Sequence, residues 1–267
     1  MTTSADRQMT DTVLVHRDGA IVTVTINRPE RLNALNRATW TRLAGVFGEL
    51  DTDDTIRCVI VRGAGDRAFA AGADIAEFGR ERENVEQARA YGAAEHRGVM
   101  AVADCRHPTV AMIRGACVGG GLEIAVACDI RIAGASGRFG VPINRLGLTM
   151  QYPELAFFIR AVGRAATLEI LLEGAVVDAQ RALGLGLVHR VVPDDRVERE
   201  ARAAAERIAG GAPLVNRWHK RFVRRLDRGG PLTPEELDEA FDAYATEDYR
   251  IGYQAFLAKQ TPGFKGK

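Results

Sequence analysis

The segment Thr109-Val110-Ala111-Met112-Ile113-Arg114-Gly115-Ala116-Cys117-Val118-Gly119-Gly120-Gly121-Leu122-Glu123-Ile124-Ala125-Val126-Ala127-Cys128-Asp129-Ile130-Arg131-Ile132-Ala133 decides the fold. Pro108 introduces a short apolar run, Thr109 to Ile113, that reads as a buried strand. A glycine loop, Gly115 to Gly121, follows and opens an apolar helix through Ile124 to Ala127. Asp129 to Ala133 then returns to strand character. Strand, loop, helix and strand in succession predict an α/β fold with parallel connections.

Upstream, the same order repeats. Val13 to His16 and Ala20 to Ile26 are β-rich runs separated by Arg17-Asp18-Gly19, a hairpin signal. Asn36 is a suitable N-cap for a helix to about Leu50, with Trp40, Leu43, Val46, Phe47 and Leu50 on one face. Ile56 to Val61 reads as a buried strand, Gly63 to Asp74 as a small-residue loop, and Val85 to Asp104 as a long helix. Downstream of Pro153 the texture turns helical, apart from a short strand at Val188 to Val192. Val197 to Ala209 is helical, and Thr233-Pro234-Glu235-Glu236 carries the start signals of a further helix. The predicted organisation is a flexible polar N-terminus over 1–10, an α/β core over 11–195 and a helical C-terminal region over 196–267. The tail Thr261 to Lys267 reads as loosely ordered.

Composition narrows the function. In 267 residues, 36 Lys and Arg face 35 Asp and Glu, a formal charge of +1 that argues against nucleic-acid binding. The densest basic run, Arg217 to Arg225, reads either as a solvated helix face or as a docking patch for phosphates. Cys58, Cys105, Cys117 and Cys128 form no C-x-x-C pair and have no His at zinc-like spacing, so neither a metal site nor a disulfide framework is expected. Met1 to Thr10 lacks the apolar stretch of a secretory signal, and no segment approaches the roughly 18 apolar residues of a membrane span. The predicted setting is cytoplasmic, without membrane association.

The glycine loop is also the chemical signal. At a helix N-terminus its N–H groups are unsatisfied, and without Cβ atoms the backbone can approach a ligand. A P-loop would need Lys and Ser/Thr after its last glycine, where Leu122 stands, and the spacing does not match a dinucleotide fingerprint. Two readings remain: tight packing of helix on strand, or an anion site. Glu123, an acid inside an otherwise apolar helix, favours the second, because a desolvated carboxyl gains a raised pKa and can move protons near neutral pH. Arg67 to Ile75 is another small-residue loop after a strand. Two such loops can each give one N–H to a single oxygen, and each donor is worth about 2.7–4 kcal/mol in a transition state.

These residues resemble the crotonase (enoyl-CoA hydratase/isomerase) superfamily. Asn27 to Leu35 is similar to its N-terminal motif, Phe69 to Ile75 to its first oxyanion loop and Gly115 to Asp129 to its glycine-rich signature. Thr246 to Arg250 with Ala255 to Leu257 is similar to its C-terminal helix, so the likeness runs from about 12 to 265. The resemblance implies a crotonase-like spiral of ββα repeats, with a C-terminal helical region making a homotrimer or a dimer of trimers. It implies an acyl-CoA thioester as substrate, coenzyme A entering with the substrate and no separate cofactor. Catalytic roles fall on Glu123 and on the N–H groups of Gly120 and Ala73. The CoA moiety would be bordered by Ala71, Ala73, Asp74, Ile75, Ala76 and Gly120.

One position departs from that pattern. After Phe139-Gly140-Val141-Pro142, where hydratases of this family carry a second glutamate, the chain has Ile143, followed by Asn144 and Arg145. Candidates for the missing group are His96, Glu154 and Tyr152, with His107 read as structural. His96 lies twelve residues before Pro108, where the aryl-CoA dehalogenase branch places an active-site histidine. A surface helix histidine is the competing reading. The resulting expectation is a lyase or isomerase working through an oxyanion-stabilised enolate. The alternatives are a thioester hydrolase and an acyl-CoA binding protein without turnover.

Overall fold

The computed structural model describes residues 11–267, and the N-terminus expected to be flexible, 1–10, lies outside them. Ten strands form two sheets among the described residues. Strands β1 (Val13–Asp18), β2 (Ile21–Ile26), β3 (Cys58–Gly63), β5 (Thr109–Ile113), β7 (Ile130–Gly134) and β10 (Arg190–Val192) make a six-stranded sheet in that order. Strands β4 (Ala68–Ala70), β6 (Ala116–Val118), β8 (Arg138–Gly140) and β9 (Val176–Asp178) make a second, four-stranded sheet. From β3 to β8 the chain alternates: one strand in the large sheet, the next in the small one, then a helix. That alternation is the spiral of ββα turns.

The first hairpin is antiparallel, and β2, β3, β5, β7 and β10 run parallel. β5 is buried at every residue, as a strand covered on both faces must be. One face meets a core built on Trp40, Phe47, Phe69, Tyr91 and Phe139. The other is covered by Val197, Ala201, Ala204 and Ala205 against Ile60, Val110 and Ile132. Each large side chain so buried contributes about 1.5–3 kcal/mol relative to exposure.

Helix α1 (Arg37–Asp51) starts at Asn36, whose side chain accepts the Thr39 N–H. A short helix, α2 (Phe78–Glu81), precedes α3 (Val85–Asp104), which is capped by Asn84 and packs along α1. Helix α4 (Gly120–Ala127) follows β6, and α5 (Tyr152–Glu173) follows β8 with a break at Gly163. Then come α6 (Ala179–Leu185), α7 (Val197–Ala209), α8 (Pro213–Asp227), α9 (Pro234–Asp238) and α10 (Glu247–Ala258).

Two readings are revised here. The basic run on α8 is neither a free phosphate patch nor a plain solvated face. Arg217 pairs with Asp54, Lys220 with Asp129, Arg221 with Glu239, Arg224 with Asp104 and Arg225 with Glu236. Most of these carboxylates belong to the body, so the run fastens α8 to it. The tail has no regular structure, as expected, yet it is tied down. Buried Asp248 accepts the N–H groups of Lys265 at 2.6 Å and Gly266 at 2.9 Å, and Arg57 donates to the Phe264 carbonyl.

Candidate active site

Strands β4, β6 and β8 lie side by side and parallel, so the loops that leave their C-terminal ends emerge together. These are Ala71-Gly72-Ala73 after β4, Gly119-Gly120 after β6 and Val141-Pro142-Ile143 after β8. The carboxyl ends of parallel strands are where open α/β sheets bind ligands. A cavity of about 360 Å³ opens there, lined by all three loops and closed by residues of α3 and α5.

The two small-residue loops touch. A Cβ on Gly72 would lie 3.1 Å from the Val118 carbonyl oxygen and 3.7 Å from Gly119 Cα. Gly119 takes φ 53° and ψ −126°, a conformation that side chains oppose. At Gly121 a Cβ would stand 2.2 Å from the Ala70 carbonyl, so the start of α4 can pack on β4 only through glycine. The surrounding bonds skip two amides. Leu35 N–H donates to Gly72 O at 2.7 Å and Asp74 N–H to Leu35 O at 2.9 Å, on either side of Ala73. Gly119 N–H donates to Gly140 O at 2.9 Å, which leaves Gly120 as the first residue of α4, with its N–H outside the helical ladder.

The motif Asn27 to Leu35 braces the first loop. Arg28 reaches Asp74 at 2.7 Å, and both are largely shielded from water. Its other guanidinium nitrogen donates to Ala34 O. Asn33, fully buried, donates to Ala64 O at 2.9 Å and Ala68 O at 2.8 Å. Asp74 also accepts the Ala76 N–H, turning the chain into a short helical turn. Ala71, Ala73, Ile75 and Gly120 line the cavity, whereas Asp74 and Ala76 do not.

Glu123 faces the cavity from the first turn of α4 and is 7% exposed. Its Oε2 has no hydrogen-bond partner. Burial first, then the nearby Glu95 and Glu154 carboxylates, hold its carboxyl well above the ordinary range, with Arg82 pulling the other way. Glu95, on α3, lines the same cavity and meets Arg82 at 3.3 Å; burial raises its pKa too. Arg82 lies over the Tyr91 ring, 3.7 Å from its centroid.

Ile143 lines the cavity with Pro142, Leu146, Leu148 and Met150, an apolar wall beside Arg145 and Gln151. His96 does not line it. Its ring sits outside, partly exposed, with Nδ1 2.7 Å from Glu154 Oε1. Glu154 does line it and is 2% exposed. Tyr152 projects into solvent, 89% exposed. His107 is buried with Nε2 3.0 Å from Leu50 O, far from this chemistry in role. Glu95 was not among the residues singled out from the sequence. The signal was present: Glu95 lies four residues after Tyr91, three before Gly98 and four before Val99, on the buried stripe of α3.

The architecture and these loops define a class of CoA-thioester enzymes, and comparison with known proteins agrees. A family profile described as enoyl-CoA hydratase/isomerase matches residues 16–267. The short-chain-enoyl-CoA hydratase of Clostridium acetobutylicum is 33% identical over 261 residues, covering 96% of this chain and 98% of that protein. The 1,2-epoxyphenylacetyl-CoA isomerase of Escherichia coli is 31% identical, over 97% of this chain and 100% of that one. A crystal structure of an enoyl-CoA hydratase/carnithine racemase from Magnetospirillum magneticum superposes with TM-score 0.95 at 51% identity, covering 96% of both chains. The chain belongs to the enoyl-CoA hydratase/isomerase family.

Proposed function

We propose that this chain acts on an enoyl-CoA thioester by holding the carbonyl oxygen between the Ala73 and Gly120 N–H groups while Glu123 moves a proton at the adjacent carbon. The observation that carries the reading is the position of Glu123. It is a buried carboxyl with one free oxygen, one helical turn from Gly120 and in the same cavity as both unladdered amides. A raised carboxyl pKa suits it to exchange protons near neutral pH. Charge that develops on the thioester oxygen falls at a helix N-terminus, where preorganised donors act without reorganisation.

Ile143 favours a shift of the double bond over addition of water, because the carboxylate that would activate a water from that position is replaced by an apolar side chain. Coenzyme A enters as part of the substrate, with Ala71 to Ala76 as its rim, and no separate cofactor takes part. Buried free thiols at all four cysteines fit a cytoplasmic enzyme. Among the described residues, no helix is long and apolar enough to cross a membrane. Phe241, Tyr244, Tyr253, Phe256 and Leu257 leave apolar surface exposed on 196–267, which supports that region as the assembly surface of a homotrimer or dimer of trimers, with 11–195 as the catalytic body.

The test is turnover of 3-hexenoyl-CoA and crotonyl-CoA by the purified protein, with Glu123→Gln alongside. Isomerisation faster than hydration, with loss of at least about a hundredfold in the variant, is the expected result. Release of free CoA thiol from saturated thioesters would instead identify a hydrolase. Tight binding with no turnover, unchanged by the substitution, would identify a binding protein.

A further inference from the structure

A proton that leaves one carbon and arrives at another needs either one group that swings between them or two groups. Glu154 supplies a second. Like Glu123, it lines the cavity, is more than nine-tenths buried and has an Oε2 with no partner. The third carboxyl, Glu95, is committed to Arg82 at 3.3 Å. Glu154 comes from α5, which packs on α4, the helix that carries Glu123. Its other oxygen is held at 2.7 Å by His96 Nδ1. The His96 ring stands outside the cavity with its side chain 38% exposed, so it bridges the buried carboxyl to solvent.

We propose that Glu154 is the second proton-transfer group of this site and that His96 is its positioning residue and link to water. The proposal rests on the reading of Glu123 above. With a 3-enoyl thioester, the Glu123 carboxylate takes a proton from C2, and the C–H electron pair becomes the C1–C2 π bond as the carbonyl pair moves onto oxygen. The oxygen pair then returns, the C1–C2 pair moves to C2–C3, and the C3–C4 π pair takes a proton at C4 from the Glu154 carboxylic acid. Glu154 is left as a carboxylate and Glu123 as an acid. Transfer of that proton from Glu123 to Glu154 restores the site, with nothing oxidised or reduced. While it resides on Glu154, the proton exchanges with water through His96. Hydrogen delivered to C4 is therefore solvent hydrogen.

The experiment follows 3-hexenoyl-CoA carrying two deuteriums at C2, converted in ordinary water and read by mass spectrometry with steady-state kinetics. The wild-type product should keep one deuterium, at C2, and carry none at C4. Glu154→Gln should lower kcat about a hundredfold with KM little changed, and its residual product should carry deuterium to C4, because Glu123 alone returns what it took. His96→Ala should lower kcat with KM unchanged and regain rate with added imidazole, which a purely structural histidine would not do. Unfolding temperature and thioester affinity matching wild type certify each variant as folded. A folded Glu154→Gln enzyme with wild-type kcat and full label washout overturns the proposal, as does a wild-type enzyme that itself carries deuterium to C4. Failure of the underlying reading has a different signature: Glu123→Gln would retain turnover.

Discussion

At the scale of single residues, Glu123 is placed against the interest of the fold. Its carboxyl is buried beside Glu95 and Glu154, and its folded-state pKa is raised, first by burial. A carboxyl whose folded pKa lies above its unfolded value adds stability at low pH that is lost as pH rises through the folded pKa. Each pH unit between the two values removes about 1.4 kcal/mol. Glu123→Gln is thus expected to abolish activity and yet raise the unfolding temperature at pH 8, by about 2–4 °C for each kcal/mol relieved. The gain should shrink toward pH 5. Thermal unfolding of both proteins across that range checks it, and an unchanged or lower unfolding temperature at pH 8 would refute the account. Glu123 was legible in the sequence because an acid in an apolar helix after three glycines has few explanations. Glu154 was legible only as one of three candidates for the missing group, since Pro153 beside it also offers an ordinary reason for an acid at the start of a helix. That it meets His96, 58 residues earlier in the chain, depends on how α5 crosses α3, which no local pattern encodes.

Among elements, the loop after β4 is the part most dependent on support from elsewhere. It contributes Ala73 to the cavity but has only three strand residues, Ala68–Ala70, behind it. The Arg28–Asp74 pair and the Leu35 bridge to Gly72 and Asp74 hold it from outside. Arg28→Met leaves Asp74 largely buried without its cation, which should cost about 1–3 kcal/mol. A displacement of about 1 Å at Ala73 is worth up to about a hundredfold in rate, so kcat should fall more than stability alone explains. The Arg28→Met and Asp74→Asn double-mutant cycle measures this; additive losses in kcat would show that the pair does not position the loop. The same geometry explains what the sequence did and did not disclose. Helices announced themselves through Asn36 and Thr233, whose side chains cap at the expected residues. The small sheet did not, because β4, β6, β8 and β9 are three residues each and too short to show a period of two. β4 and β6 fell inside stretches read as loops and β9 inside one read as helical, and only the family resemblance implied paired strands in each turn.

Across the whole molecule, His107 sits where the body meets its C-terminal helices. Its Nε2 faces Leu50 O at 3.0 Å, at the end of α1, and its own carbonyl accepts from Lys220 Nζ of α8 at 3.0 Å. Burial first, then Arg217, pushes its pKa down from 6.5 to about 4, while Leu50 O and Asp51 act the other way. The unfolded chain therefore takes up a proton as pH falls through about 6.5, and the folded protein does not until about 4. Stability from this residue is complete above the upper value and is lost as pH falls through the window, at up to about 1.4 kcal/mol per unit. The sign is opposite to that of Glu123, so the two must be separated by substitution. His107→Gln keeps a donor toward Leu50 O and cannot titrate. The stability of wild type minus that of the variant, from denaturant unfolding between pH 7 and pH 4, should decline steadily with acidity. A flat difference would mean that the junction between body and helices is indifferent to the histidine's charge, and that acid sensitivity in this protein arises from the carboxylates that Arg217, Lys220 and Arg224 hold in place.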